Sequence, residues 1–496
     1  MAITFTKEVN GNIEFNFNGQ IYSLPPIAVI QKSSRNTTDI ILSVPEFSKF
    51  VINYTQVAGY ASRDALFDDL AVNFFQNQAP GGGGGGDASS ANQILQLAQE
   101  TTAASQLTEI NSKIINGGNF GLTAAGSQRI AQMTTLLDGK ILGEDDLDLW
   151  ENVGTGTAAF SANTVVLSVA QGQYMIRQTK RFLPYFAGKP QLIELTSVNF
   201  KQEIGKVKRI GYFSSNAVAP YNSNIDGFFL ESNDNGYSLK SYNNDVITAD
   251  KNLSEMTNFA AILNFLWENF AVVACDFLWL GGAALRFFVK TSTGFHLIHV
   301  FNWSGLSQIT FMKSPNQPIR YEIRSTTGAG SLTYVCSQGA SEGSTKESGK
   351  TYSMFSPISI ATNVVGTVYA IKGIKKQVAF RDTAIQILEI ASTSQSSVDG
   401  GVALLLKNPT LSSPLTYTNV GKIQEGTATN QTISALGTVI GAVPVAQVSE
   451  KTDAMKENFL SFLSGSINNT MDEYVLAFMP YTTNQNNAGV ITYKVF

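Results

Sequence analysis

Residues 164–213 read TVVLSVAQGQYMIRQTKRFLPYFAGKPQLIELTSVNFKQEIGKVKRIGYF. Runs rich in β-branched and aromatic residues (164–170, 173–180, 191–200 and 208–213) alternate here with short Gly, Pro and Lys-containing breaks. Each run has strand length, and the close intervals are those of a sandwich or jelly roll. The pattern continues outward through GFFLES (227–232), LRFFVKT (285–291), FHLIHVFNW (295–303), QPIRYEI (317–323) and LTYVCSQ (332–338). After the polar stretch SEGSTKESGK a second series begins: VVGTVYAI, KQVAFR, IQILEIAS, GGVALLLKN, LTYTNV, EYVLAFMPY and ITYKVF. A domain boundary is expected near residue 345, and one helix-like segment, Glu450 to Phe462, interrupts the second series.

Composition agrees. The chain has 496 residues, 43% of them apolar and 15% charged, enough for roughly two to four folding units. Sparse Lys and Glu with abundant Asn, Ser, Thr, Gly and aromatics suit strands and tight turns better than helical bundles. The net charge of −4 is spread along the chain, so no basic cluster offers a footprint for nucleic acid. The N-terminus has no basic region followed by an apolar one. The most apolar stretch, Phe259 to Val289, is interrupted by Glu268, Asp276 and Arg286, short of the roughly 20 uncharged residues of a spanning helix. Membrane residence is not expected. Cys275 and Cys336 lie in apolar, strand-like contexts and read as small buried hydrophobes, with a single disulfide as the alternative.

Towards the N-terminus, residues 1–80 read as a small α+β domain. IEFNFNGQIYSL predicts a hairpin around Asn18-Gly19. Ser62 caps a predicted helix that places Leu66, Phe67, Leu70, Ala71 and Phe74 on one face. Gly81 to Gly86 are consecutive glycines, too free in the backbone for any core, so residues 81–90 form a hinge. A helical segment follows at 91–118, in which Ile94, Leu97, Thr101, Ala104, Leu107, Ile110 and Ile114 recur at spacings of three and four. This narrow stripe with small polar flanks predicts self-association; packing on a neighbouring domain is the alternative. Residues 119–148 are a connector, 149–345 a β-sandwich and 346–496 a C-terminal β domain. The fold class expected is therefore mainly β: tandem sandwich or jelly-roll domains, preceded by a short oligomerising helix and a small α+β domain.

Catalytic signals are weak. His296 and His299 are three apart on a predicted strand, so they point to opposite faces and cannot chelate one ion. One is expected in a wet position and the other hydrogen-bonded in the core. Gly154-Thr-Gly156-Thr-Ala-Ala resembles a dinucleotide fingerprint but opens no helix. Gly343 to Thr351 misses a P-loop by one residue. Two carboxylate groups, Glu144, Asp145, Asp146 and Asp148, and Asp226, Glu231 and Asp234, could supply a glycosidase pair if their side chains met. Solvated acidic turns are the commoner outcome. Tyr221, Trp279 and Trp303 could stack on sugars, although tryptophans beside Phe and Leu usually pack into cores. No catalytic residue, cofactor site or metal site is expected.

Residues 149–343 resemble a module of tailed-phage virion proteins, especially capsid-attached head fibres and other appendages. The resemblance is carried by MIRQTKRFLPYFAGKPQLIELTSVNF (175–200), KRIGYFSSNAVAPYNSNIDGFFLES (208–232), ACDFLWLGGAALRFFV (274–289) and the 301–343 stretch from FNWSGLSQ to SQGASEG. GGVALLLKNPTLSSPLTYTNV (400–420) resembles the β domain that accompanies it. At FLWLGGAALRF the family usually carries a further charged residue, which this chain lacks. The resemblance implies a β-sandwich, a homotrimer resident in the virion and no catalytic residues. By position, residues 1–80 would anchor to capsid or tail proteins. A receptor- or host-glycan-binding tail fibre is the first alternative and a polysaccharide depolymerase the second. A trimer in sedimentation is the expected outcome; only monomer for residues 88–496 would overturn the helix argument.

Overall fold

The structure is a computed structural model. It describes residues 5–7, 13–17, 20–24, 29–32, 37–43, 49–57, 59–73, 77–78, 123–124, 131–280, 284–343, 349–356, 360–394, 400–445 and 461–496. The hinge and the stripe from Ile94 to Ile114 lie outside the described residues, as does most of the helix expected at 450–462. The chain divides into two compact units, Met1–Ser105 and Gln106–Phe496.

In the first unit Ile13–Phe17 pairs antiparallel with Gln20–Leu24, with Phe17 opposite Gln20, the hairpin that Asn-Gly predicts. A separate four-stranded sheet buries Ile30, Ile40, Leu42 and Ile52. The helix Arg63–Asn73 buries Leu66 and Leu70, and Ser62 accepts a hydrogen bond from the Ala65 amide at its start.

The second unit is mainly β and contains two sandwiches in tandem. Among the described residues the first pairs an eight-stranded with a seven-stranded sheet, both antiparallel. The eight-stranded sheet runs Thr157–Ser161, Thr164–Val169, Gly330–Glu342, Gln191–Val198, Ala271–Leu278, Ala284–Thr291, Gly294–Asn302. Its eighth strand, Met133–Lys140, pairs with the far half of Gly330–Glu342. Part of the stretch read as a connector is therefore a strand. The seven-stranded sheet runs Val246–Asn252, Gly236–Asn243, Asp226–Asn233, Lys206–Ser214, Ile319–Ser325, Tyr174–Thr179, Trp150–Gly154.

The second sandwich pairs a five-stranded sheet, built on the long strand Gln485–Val495, with an eight-stranded one centred on Val368–Lys376 and Tyr474–Pro480. KQVAFR does not form the expected strand: Val378–Phe380 is a 3-10 turn where the chain reverses between sheets. Ser461–Phe462, at the end of the segment read as helix, forms a short strand beside Gln386 and Ile387.

Alternation of side chains explains the core. Ile319, Tyr321 and Ile323 face inward with Ile210, Tyr212, Phe228 and Leu230, so Arg320, Glu322 and Arg324 must occupy the opposite face. That face is also covered, and its charges are paired. Glu322 is 0% exposed and lies within reach of Arg320 (2.5 Å), Arg209 (3.1 Å) and Arg324 (3.3 Å). Arg209 also reaches Glu231 (2.6 Å), which Lys240 approaches at 2.9 Å. Inside the sandwich the fully buried Arg177 lies over the rings of Trp150 (5.0 Å) and Tyr334 (4.8 Å) and pairs with Asp145 at 2.6 Å. Two of the three charges that interrupt Phe259–Val289 meet across the sheet as a buried pair, Asp276 opposite Arg286. Cys275 and Cys336 are both free thiols, in strands on opposite sides of Gln191–Val198.

Burial alone would raise the Glu322 carboxyl, but Arg320, Arg324 and Arg209 hold it down, from an ordinary 4.5 to about 2. A carboxylate lowered in this way contributes stability above its unfolded value and loses it as pH falls through the folded one. Glu322→Gln is therefore expected to cost about 3–5 kcal/mol at pH 7. It should also flatten the loss of stability between pH 4.5 and about 2. Urea unfolding of both proteins at pH 7, 4 and 3 checks this, and equal stability at pH 7 would refute the network's role.

Candidate functional site

The site lies along the seam between the two sandwiches, and the segment Thr179–Phe182 forms one of its walls. This segment leaves the seven-stranded sheet after Thr179, which pairs with Trp150. Lys180 then donates its amide to Leu149 O (2.9 Å) and accepts from the Gly465 amide of the second sandwich (2.9 Å). Leu183 N continues to Gln317 O at 3.0 Å.

Polar contacts hold the seam closed. Glu151 accepts from the Ser466 hydroxyl and from Ile467 N (2.8 Å). Burial raises the Glu151 carboxyl in spite of these bonds. Arg381 donates to Ser215 O, to Ile467 O (3.1 Å) and to Asn469 Oδ1 (3.3 Å). Lys407 bridges Asp148 and Asp472, each at 3.4 Å. Lys376 is fully buried beneath Arg381, donating to Arg381 O (2.8 Å) and Thr383 O (3.1 Å), and burial lowers it to about 8. Ile467 packs with Ile176 and Tyr221 and completes the apolar part of the joint.

The loop from Ser215 to Ile225 forms the other wall. Arg320 reaches across the sheet to Ser215 Oγ (2.7 Å) and Tyr221 O (3.1 Å), and Arg324 to Pro220 O (2.9 Å). Asn224 and Asn244 adopt positive φ, 51° and 48°, the left-handed region that Asn tolerates through its short polar side chain. Asp245 accepts from the amides of Asn224 (2.6 Å) and Ile225 (2.7 Å), tying the two turns together.

Two recesses open on this seam. The larger, of about 460 Å³, is lined among others by Asn216, Asn224, Asn244, Asp226, Lys313, Arg381, Asp382 and Asn469. The smaller, of about 280 Å³, is bounded by Asp138, Asp146, Asp148, Lys180, Arg181, Lys407, Phe462, Ser464 and Tyr474. Both offer hydrogen-bond donors and acceptors.

The carboxylates singled out from sequence are engaged in structural contacts. Asp145 pairs with Arg177, Asp148 with Lys407, and Asp146 accepts from Leu149 N (2.9 Å). Glu144 is exposed in the same turn. Asp226 accepts from the amides of Lys313 (2.6 Å) and Ser314 (2.9 Å) and from Gln317 Nε2 (2.6 Å); burial raises it against these bonds. Glu231 belongs to the charged layer, and Asp234 accepts from Gly205 N at 2.6 Å. The aromatics are also packed. Trp303 stacks on Phe311 and donates to Thr248 O, Trp279 donates to Met312 O, and Tyr221 is buried at the joint.

The two histidines require a correction. A bulge in Gly294–Asn302 places His296 opposite Val289 and His299 opposite Phe287, both core residues, so the two histidines share a face. Neither is buried. His296 bonds Thr293 at 2.7 Å and His299 bonds Thr257 at 2.9 Å. Among the described residues no group of His, Cys, Asp and Glu could hold a metal, and no helix is long and apolar enough to cross a membrane. Sequence reasoning missed Lys180, Arg181 and Arg381 and the turn asparagines. Only the YNSNID and NND turn signals pointed to the last of these.

No protein-family model and no curated protein matches this chain. Solved structures with partial likeness are sandwiches. The carbohydrate recognition domain of Emp47p has a TM-score of 0.30 at 11% identity, covering 42% of this chain and 96% of its own. The β-glucanase of Bacillus licheniformis has a TM-score of 0.28 at 13% identity, covering 43% and 98%. A legume lectin-like domain from Entamoeba histolytica has 0.29 at 12%, covering 42% and 98%. Scores and identities this low carry no functional argument.

Arg381→Ala removes the one charge-assisted bond that Arg381 makes across the seam, to Ser215 O, worth about 1.5–3 kcal/mol. The variant is expected to melt in two steps, with the second sandwich released before the first. Differential scanning calorimetry checks this, and an unchanged transition would show that the seam does not depend on Arg381.

Proposed function

We propose that this protein is a non-catalytic adhesive subunit of a tailed-phage virion appendage, and that it takes carbohydrate in the seam between its two sandwiches. The observation that carries the binding half is the 460 Å³ recess, walled by carboxamides and flanked by Lys313, Arg381 and Asp382. A sugar hydroxyl both donates and accepts, and so does a carboxamide side chain taken as a whole. Side chains fixed on turns and sheet ends lose little freedom on binding, which favours a ligand with many weak polar contacts. The Asn224 and Asn244 side chains suit this role. Among the described residues neither makes an intramolecular hydrogen bond.

Particle residence is supported by the segments at 175–200, 208–232, 274–289 and 301–343 that resemble phage appendage modules. In that setting residues 1–80 anchor the chain to capsid or tail proteins, and three copies joined near 91–118 present three seams. Weak sites then gain by avidity, because each later contact is intramolecular. A depolymerase reading is less well supported, since the carboxylates that would serve it hold arginines, lysines and backbone amides in place.

A glycan array on the full chain, followed by calorimetric titration of the best ligand, tests the binding site. Asn224→Gly and Asn244→Gly together remove both amides while keeping backbones that glycine adopts freely. The double variant is expected to bind about tenfold more weakly with unchanged thermal stability. Unchanged affinity would move the site elsewhere, and silence across the whole array would end the carbohydrate reading.

A further inference from the structure

The buried and half-buried arginines of the first sandwich show a consistent rule with one exception. Arg177 has Asp145, Arg209 has Glu231 and Glu322, Arg286 has Asp276, and Arg320 and Arg324 share Glu322. Arg181 has no such partner. Its Nη2 reaches only Leu136 O at 3.5 Å and its guanidinium lies 5.6 Å from the Phe462 ring, while its Nε is buried without a hydrogen bond, as are those of Arg177 and Arg320. Lys180, beside it in the same recess, makes no ion pair among the described residues.

The acidic neighbours form no salt bridge to either cation, although Asp146 favours the Arg181 charge from a distance. Asp138 pairs with Lys140 at 3.0 Å, Asp148 with Lys407, and Asp146 takes the Leu149 amide. Two cations therefore line the 280 Å³ recess without a salt bridge, although Asp146 acts on Arg181 through space, and Asp472 and Glu151 on Lys180. Arg181 is half-buried and burial disfavours its charge, against which Asp146 and Tyr474 act only at a distance, so an anion delivered by a ligand lowers that cost further. A guanidinium also matches a planar carboxylate through paired donors.

We propose that the smaller recess seats the carboxylate of an acidic sugar, a uronate or sialate, on Arg181 and Lys180, so that the glycan bound at the seam is an acidic one. This rests on the carbohydrate reading above and specifies its ligand class. The sugar hydroxyls then face Ser464 and Tyr474, which line the same recess, and Phe462 supplies an apolar edge.

The test uses the full chain with oligogalacturonate, alginate oligomers and colominic acid, each beside its carboxyl-reduced counterpart, in calorimetric titrations at low and moderate salt. At least one acidic oligomer is expected to bind, its reduced form about tenfold more weakly, with affinity falling as salt rises. Lys180→Gln breaks no ion pair present among the described residues. It should weaken the acidic ligand by a similar factor and leave neutral glycans unaffected. Arg181→Gln should do the same, and a circular dichroism melt shows whether that buried change still folds; if it does not, Lys180→Gln decides alone. Equal binding of acidic and reduced forms, or an acidic ligand indifferent to Lys180→Gln, overturns the proposal. Binding of neutral glycans only also overturns it and leaves the carbohydrate reading standing, whereas no binding by any glycan removes both.

Discussion

The contact between Glu322 and its arginines organises most of what surrounds it. The carboxylate lies on the face of the seven-stranded sheet that points away from the first core, where it is fully buried. Burying it is tolerable only because Arg320, Arg209 and Arg324 converge on it. Arg320 also donates to Ser215 Oγ and Tyr221 O, which pins the 215–225 loop onto the sheet. Ser215 in turn offers its carbonyl to Arg381 of the second sandwich. One buried carboxylate is thus linked through two arginines and a loop to the neighbouring domain, and the larger recess is shaped by the same loop.

This arrangement explains why both faces of the central strands of the seven-stranded sheet are covered. An antiparallel sheet commonly leaves one face to water. Here the second face carries charges and aromatics together: Arg320 lies 5.0 Å from the Phe213 ring and Arg209 4.9 Å from Phe229. Stacked and paired, these cations can lie under a loop and a second domain without losing compensation. The seam that results is polar and directional, so its geometry is set by hydrogen bonds as well as by shape.

Much of the architecture was legible in the chain. The β-rich runs between 164 and 213 fall on strands, the Asn-Gly hairpin is where the dipeptide puts it, and the helix at Arg63–Asn73 buries the two leucines its periodicity selects. The misreadings have local causes. KQVAFR has strand composition but sits at a reversal, where a 3-10 turn satisfies its amides. The histidine parity argument assumed an unbroken strand, and one bulged residue inverted it. Met133–Lys140 lies in the stretch expected as a connector, yet it pairs with the far half of a strand almost two hundred residues later.

By itself the sequence determined the class of this protein: a charge-poor chain of strands and tight turns, whose apolar alternation requires layered sheets. Those features are local, since propensity, period and turn chemistry act over a few residues. The tertiary structure alone decided which charges meet and where a ligand could sit. Arg177 finds Asp145 across 32 positions, Glu151 finds Ser466 across 315, and Arg181 makes no salt bridge among the described residues. No periodicity encodes such pairings, because strand order and the docking of one sandwich on another bring them about.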